Sequence, residues 1–138
     1  MESVKTIKKG DAIYALFISK NLSPEGGIKF LTDHASPFQL GLMERPAGHK
    51  VKPHQHPPQT FDVQRFSEFL YVERGKIKAT VFDEEWNVLA EQELGAGDFL
   101  LFLRGGHGID VLEPSRMIEV KQGPFPGDKA AKTFRAIP

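Results

Sequence analysis

The chain is interrupted by turn chemistry along its whole length. Clusters of Gly, Pro, Asn and Asp recur at "SPEGG" (23–27), "RPAG" (45–48), "ERGK" (73–76), "DEEWN" (83–87), "GAGD" (95–98), "RGG" (104–106), "EPS" (113–115) and "GPFPG" (123–127). The runs between them are short and rich in Phe, Leu, Ile and Val. Short apolar runs bounded by turn residues read as strands, and many of them in series read as an all-β sandwich or barrel. The spacing predicts strands at 12–19, 28–32, 38–44, 66–72, 76–82, 88–94, 98–103, 108–113 and 117–121. Alternation supports this: Ile77, Ala79 and Val81 fall on one face, and Lys76, Lys78 and Thr80 on the other. "GDFLLFL" (97–103) is almost wholly apolar, which predicts a strand buried on both faces. Beyond Gly123, with Pro124 and Pro126, a short irregular tail is expected, with one weak helical turn capped by Asp128.

At 138 residues the chain fits one domain, 1–138, with a single core. Its 18 basic and 18 acidic residues balance. That balance gives no field to draw in nucleic acid or an anionic membrane, so neither is expected as a partner. The absence of cysteine removes disulfides, thiolate metal sites and thiol nucleophiles together. The basic start "MESVKTIKKG" precedes the apolar "DAIYALFIS", which is too short to span a bilayer and has no small-residue cleavage site. A soluble, cytoplasmic protein is the expectation.

The longest connection, "PPQTFDVQR" (57–65), follows a pair of histidines. A long polar loop on an apolar strand scaffold is a usual place for function. In "KVKPHQH" the prolines oppose helix, and in an extended chain His54 and His56 point to one face. Imidazoles placed so can converge on one ion, yet on spacing alone a solvated polar loop is an equally good reading. A metal needs further donors, and two stand out. Glu68 in "SEFLYVERG" shares a strand face with Leu70 and Val72, where a carboxylate is costly unless paired or metal-bound. His107 in "RGGHGIDVL" follows a Gly-Gly turn and shares a face with Ile109 and Val111. The plain alternatives are a strand-end carboxylate in solvent and a turn histidine bonded to backbone.

In this order the residues resemble the cupin superfamily. Gly48, five residues, His54, one residue and His56 match the opening of the first cupin motif, and Glu68, six residues and Gly75 match its close. Gly97, Gly105 and His107 in "GDFLLFLRGGHG" echo the second. Eleven residues separate His56 from Glu68, more than the usual motif has. Leu103 stands in place of a proline, a single Gly106 separates Gly105 from His107, and Val111 replaces the closing asparagine. "GDFLLFLRGGHGIDVLE" and "MIEVKQGPF" are similar to uncharacterised cupin-domain proteins associated with surface-polysaccharide biosynthesis.

The resemblance implies a single cupin-type jelly-roll β-barrel, with its core at about 38–122 and the short irregular tail outside it. It implies one divalent transition metal (zinc, iron, manganese or nickel) held by His54, His56, Glu68 and His107. Two open positions on an octahedral ion would leave Lewis-acid chemistry or oxygen activation available. The implied protein is a homodimer that acts on a small-molecule ligand such as a sugar or sugar derivative, as an oxygenase or isomerase. The alternatives are a non-catalytic binding module and a metal-free sugar isomerase or epimerase of cupin shape.

Other residues carry lesser expectations. His34 and His49 are expected in solvent. Glu119 and Lys121 form either an inward polar pair or an exposed one, and the preference of aliphatics for the core would turn Ile118 and Val120 inward. Arg65 and Arg104 flank the proposed site as anion clamps or as solvated loop residues. Trp86 covers a neighbouring subunit or packs over its own hairpin. Phe69 and Tyr71, opposite Glu68, predict an outer face covered by the N-terminal strand or by a second subunit.

Overall fold

The computed structural model describes residue 1 and residues 3–136. The chain forms two compact units. The sheet unit combines the chain up to Leu22 with the chain from Arg65 onward, and the loop unit is Ser23–Gln64.

The sheet unit is antiparallel throughout. It contains β1 (Val4–Lys9) and β2 (Ala12–Ile18), while the loop unit contributes β3 (Ile28–Phe30) and β4 (Gly41–Met43). The sheet unit continues with β5 (Glu68–Phe82), β6 (Val88–Gly95), β7 (Phe99–Phe102) and β8 (Gly106–Lys121). Its strand order is β1-β2-β7-β5-β6, with β8 paired to β5. The first half of β5 lies between β7 and β8, and the second half between β6 and β8. The class is therefore all-β, as the turn spacing predicts. Among the described residues β1 and β6 each pair with a single neighbour, so hydrogen bonding does not close the sheet into the expected barrel.

Two of the expected turns are not turns. "ERGK" and "EPS" lie inside β5 and β8, and they face each other where the ladder register shifts. Gly75 takes φ 91°, and a Cβ there would sit 2.3 Å from both the Pro114 carbonyl oxygen and Ser115 Oγ. Ser115 Oγ accepts a hydrogen bond from the Lys76 N–H at 3.0 Å. Two bulges matched across the ladder let both strands bend together, so four expected strands become two long ones.

Strand β1 was not expected. Its lysines mask an alternation that places Ile7 in the core, and pairing with β2 fixes the strand. In β7 the consecutive Leu100 and Leu101 are both fully buried, as an apolar run in a central strand requires. Leu100 packs in a core with Phe17, Val72, Ile77, Val81 and Leu94, and Leu101, on the opposite face, is in register with Leu16 and Phe69. The β5–β6 turn is built on Asp83, whose side chain is 2% exposed. Its carboxylate accepts from the backbone N–H of Glu85 and of Asn87, from Asn87 Nδ2 and from Lys9 Nζ. These donors, with Lys9 foremost, hold the Asp83 carboxyl far below the usual carboxylate range. Trp86, at φ 68°, turns its ring edge-on to Phe82 at 5.6 Å and packs over its own hairpin.

The tail carries one helical turn, α1 (Asp128–Ala131), but Gly127 occupies the cap position. Asp128 begins the turn and pairs with Lys132 at 3.2 Å instead of capping it. No helix among the described residues is long and apolar enough to cross a membrane.

Candidate functional site

Glu68 opens β5 and is in register with Phe102 of β7 and Lys121 of β8. His107 follows Gly105 and Gly106 at the start of β8. In the β5–β8 ladder His107 is in register with Val81, far from Glu68, yet through Phe102, which pairs with Glu68 and stacks on His107, the two side chains meet: His107 Nε2 and Glu68 Oε2 are 2.7 Å apart. Phe102 lies flat under the imidazole, with ring centroids 3.8 Å apart and planes within 5°. The ring is thus fixed on its face by stacking and at its edge by the carboxylate. The pair is half-buried, with Glu68 16% and His107 32% exposed at the side chain. The His107 hydrogen bond holds the Glu68 carboxyl below its ordinary value against burial, which pushes it up; Glu119 and Lys121 act in the same direction as His107.

The pair borders two clefts of the sheet unit. The smaller, about 170 Å³, lies among β5, β7 and β8 and includes Leu70, Ile109 and Glu119. The larger, about 680 Å³, is bounded by the start of β8, the β5–β6 hairpin and the tail. Lys121 and Arg104 border it, whereas Arg65 is exposed in the segment before β5.

Glu119 and Lys121 therefore stand beside Glu68, each bordering one of the clefts. The aliphatics between them point away, with Ile118 44% and Val120 52% exposed. This reverses the expectation from hydrophobicity. The inner face of β8 is a polar site at this end, so period-two alternation sends its aliphatics outward. On that outer face Ile118 is in register with Tyr71 and Val120 with Phe69. Strand β1 does not pair with β5 or β8; it stands at the far end of the sheet order.

His54 and His56 belong to the loop unit, in an exposed segment without regular structure. Their rings lie side by side, with centroids 5.0 Å apart and planes at 74°. His54 Nδ1–H donates to the Lys52 carbonyl at 2.8 Å, which leaves Nε2 as the lone-pair donor. Metal-bound histidines are usually oriented by such a bond on the other nitrogen. His34 and His49 are exposed in the same unit.

The four candidate ligands thus divide into two pairs, one in each unit. Metal–ligand bonds of about 2.1 Å at right angles place neighbouring donors about 3 Å apart, so the Glu68–His107 spacing suits two adjacent positions on one ion. Three imidazoles and a carboxylate are a donor set that a borderline divalent metal accepts. Among the described residues, no group of three or more His, Asp or Glu side chains is assembled as a metal site. Phe102 gave no functional signal in the sequence, because nothing distinguishes a core phenylalanine from one that supports an imidazole. No family model, curated protein or solved structure matches the chain.

Proposed function

We propose that the chain is a metal-binding, cupin-type protein that acts on a small polar molecule, such as a sugar or sugar derivative, at the Glu68–His107 pair. The observation that carries this reading is the 2.7 Å contact of carboxylate and imidazole at the meeting of two clefts, with the imidazole fixed by Phe102. His54, His56, Glu68 and His107 are the proposed ligands of one zinc, iron, manganese or nickel ion. A bound ion of this kind supplies Lewis-acid polarisation of a substrate oxygen. The chain's own residues do the rest. Phe102 keeps the His107 ring in plane, Lys121 offers N–H donors to a substrate oxygen, and Glu119 offers a carboxylate that can accept a proton. The exposed Ile118 and Val120, with Phe69 and Tyr71 behind them, support a homodimer as the working form. A cytoplasmic location belongs to the same proposal.

A second reading has its own support. Glu68 and His107 are in direct contact, and His107 holds the Glu68 carboxyl below its ordinary value. A carboxylate that orients an imidazole is a general acid–base pair in its own right, which suits a metal-free isomerase or epimerase. Metal analysis separates the two. Untagged protein purified without chelating resin is expected to hold about one equivalent of metal, lost in Glu68→Gln and His107→Ala. Substoichiometric metal, unchanged by either substitution, would overturn the metal reading and leave the acid–base pair. Turnover on a panel of sugars, with and without oxygen, then separates either enzyme from a binding module, which binds without forming product.

A further inference from the structure

The larger cleft has a charge pattern that its role in a neutral-sugar site does not require. The chain has no net charge, so a local excess is a matter of placement. The carboxylates that border this cleft are engaged within the protein: Glu68 with His107, and Glu91 and Asp110 both with Lys78, at 4.0 and 3.7 Å. Among the cations, Lys132 is likewise engaged, with Asp128 at 3.2 Å, but three others are held differently. Arg135 lies over the Phe82 ring at 5.0 Å, Lys121 over Phe125 at 4.6 Å and Arg104 over Tyr14 at 5.4 Å. A ring face orients a cation without using its N–H donors. Among the described residues no carboxylate lies within ion-pair distance of Arg135. Lys121 is 3.8 Å from Glu119, beyond hydrogen-bond reach, and Arg104 commits only its Nε, to Glu84 at 2.8 Å. Beside these cations lies an apolar platform. The Trp86 ring rests against Gly106, where a Cβ would come within 2.7 Å of it, and Phe82 packs on the Trp86 edge.

From this we infer that the larger cleft takes a small organic oxyanion, a carboxylate or phosphate on a ring-shaped body, with Arg135, Lys121 and Arg104 receiving the charge and Trp86, backed by Phe82, the ring. The inference rests on the cleft being the ligand site of the proposed function, and it does not require the metal. It narrows a sugar ligand to an acidic or phosphorylated one.

The test titrates the full chain at low salt with glucose 6-phosphate, glucuronate and glucose by calorimetry, with metal content measured on the same samples. At least one anion is expected to bind about tenfold or more tightly than glucose, and to weaken as salt is raised. Which anion binds distinguishes phosphate from carboxylate. R135Q lies on the exposed tail, so it is expected to weaken the anion about tenfold with melting temperature and metal content unchanged. K121M is the second variant, because R104Q also breaks the link to Glu84. Glucose binding as tightly as either anion, no saturable binding of either anion, or full affinity in both R135Q and K121M would overturn the inference. E68Q separates it from the metal reading: that variant is expected to lose metal and keep the anion. Metal-free wild-type protein that binds the anion through Arg135 sinks the metal alone.

Discussion

Each unit holds two of the four candidate ligands, and they are held by different means. In the sheet unit Glu68 and His107 lie at opposite ends of the β5–β8 ladder, and their contact is set by the pairing of Glu68 with Phe102 of β7 and the stacking of that ring on His107. In the loop unit His54 and His56 are adjacent because an extended chain with alternating side chains makes them so, helped by one bond to the Lys52 carbonyl. The first pair is a product of the tertiary fold and the second of local chain geometry. Damage to the sheet should therefore abolish the first pair together with folding, whereas removing the second should leave the fold intact.

The largest effect is expected at the matched bulges. In Gly75→Val the new side chain would meet the Pro114 carbonyl and the Ser115 backbone, in a left-handed conformation that a β-branched residue does not adopt. A loss of about 3 kcal/mol or more is expected in urea denaturation. A wild-type midpoint would show that the bends of β5 and β8 are not coupled.

Next comes the β5–β6 turn, whose Asp83 collects donors from β1 and from its own turn. Asp83→Ala is expected to lower Tm by about 5–10 °C. The pH dependence follows from the direction of the shift. The folded carboxyl lies below its unfolded value of about 4, so its stabilisation is complete above that value and is lost as pH falls toward the folded one. Glu68, lowered by His107, adds a contribution of the same sign. Acid unfolding of the wild type should begin as pH falls below about 4, and Asp83→Asn should flatten that limb. An unchanged acid limb in the variant would remove Asp83 as its source.

Backbone exchange tests the same comparison without mutation. β3 and β4 are three residues each and mostly exposed, whereas β5, β7 and β2 carry the core. Amides of the loop unit should exchange about a hundredfold faster or more than those of Phe17, Ile77 and Leu100. Equal protection would mean that the two units unfold as one.

These contrasts also mark what was legible in the sequence. Turn residues and alternation gave the strand class and placed β2, β6 and β7 within a residue or two. They failed at 73–76 and 113–115, because Gly, Pro and Ser suit a bulge as well as a turn, and only the facing strand decides between them. β1 escaped because its lysines obscure one buried isoleucine. At the site, Glu68 and His107 could be singled out as polar residues on apolar strand faces, and the sheet does bring them together. For Glu119 and Lys121 the preference of aliphatics for the core points outward, and that rule fails where the inner face of a strand is a polar site. Arg135 could not be found at all. It lies in a tail without periodicity, and it acquires a place only when that tail borders the cleft.

The smallest effect on stability is expected at the loop histidines, and it is the most informative. His54 and His56 are exposed, so His54→Ala and His56→Ala should each change folding stability by less than about 0.5 kcal/mol. If they are ligands, each should weaken metal binding by about tenfold or more, since a lost imidazole is a lost bond to the ion. Glu68→Gln and His107→Ala should lose the metal too, but with a measurable drop in Tm, because Glu68 and His107 also tie β5 to β8. Four substitutions with the same effect on metal and a divided effect on stability would identify one site assembled from two kinds of structure. Metal loss confined to Glu68 and His107 would leave the loop pair as solvated histidines. Urea denaturation and metal analysis on the four single variants give both answers from the same preparations.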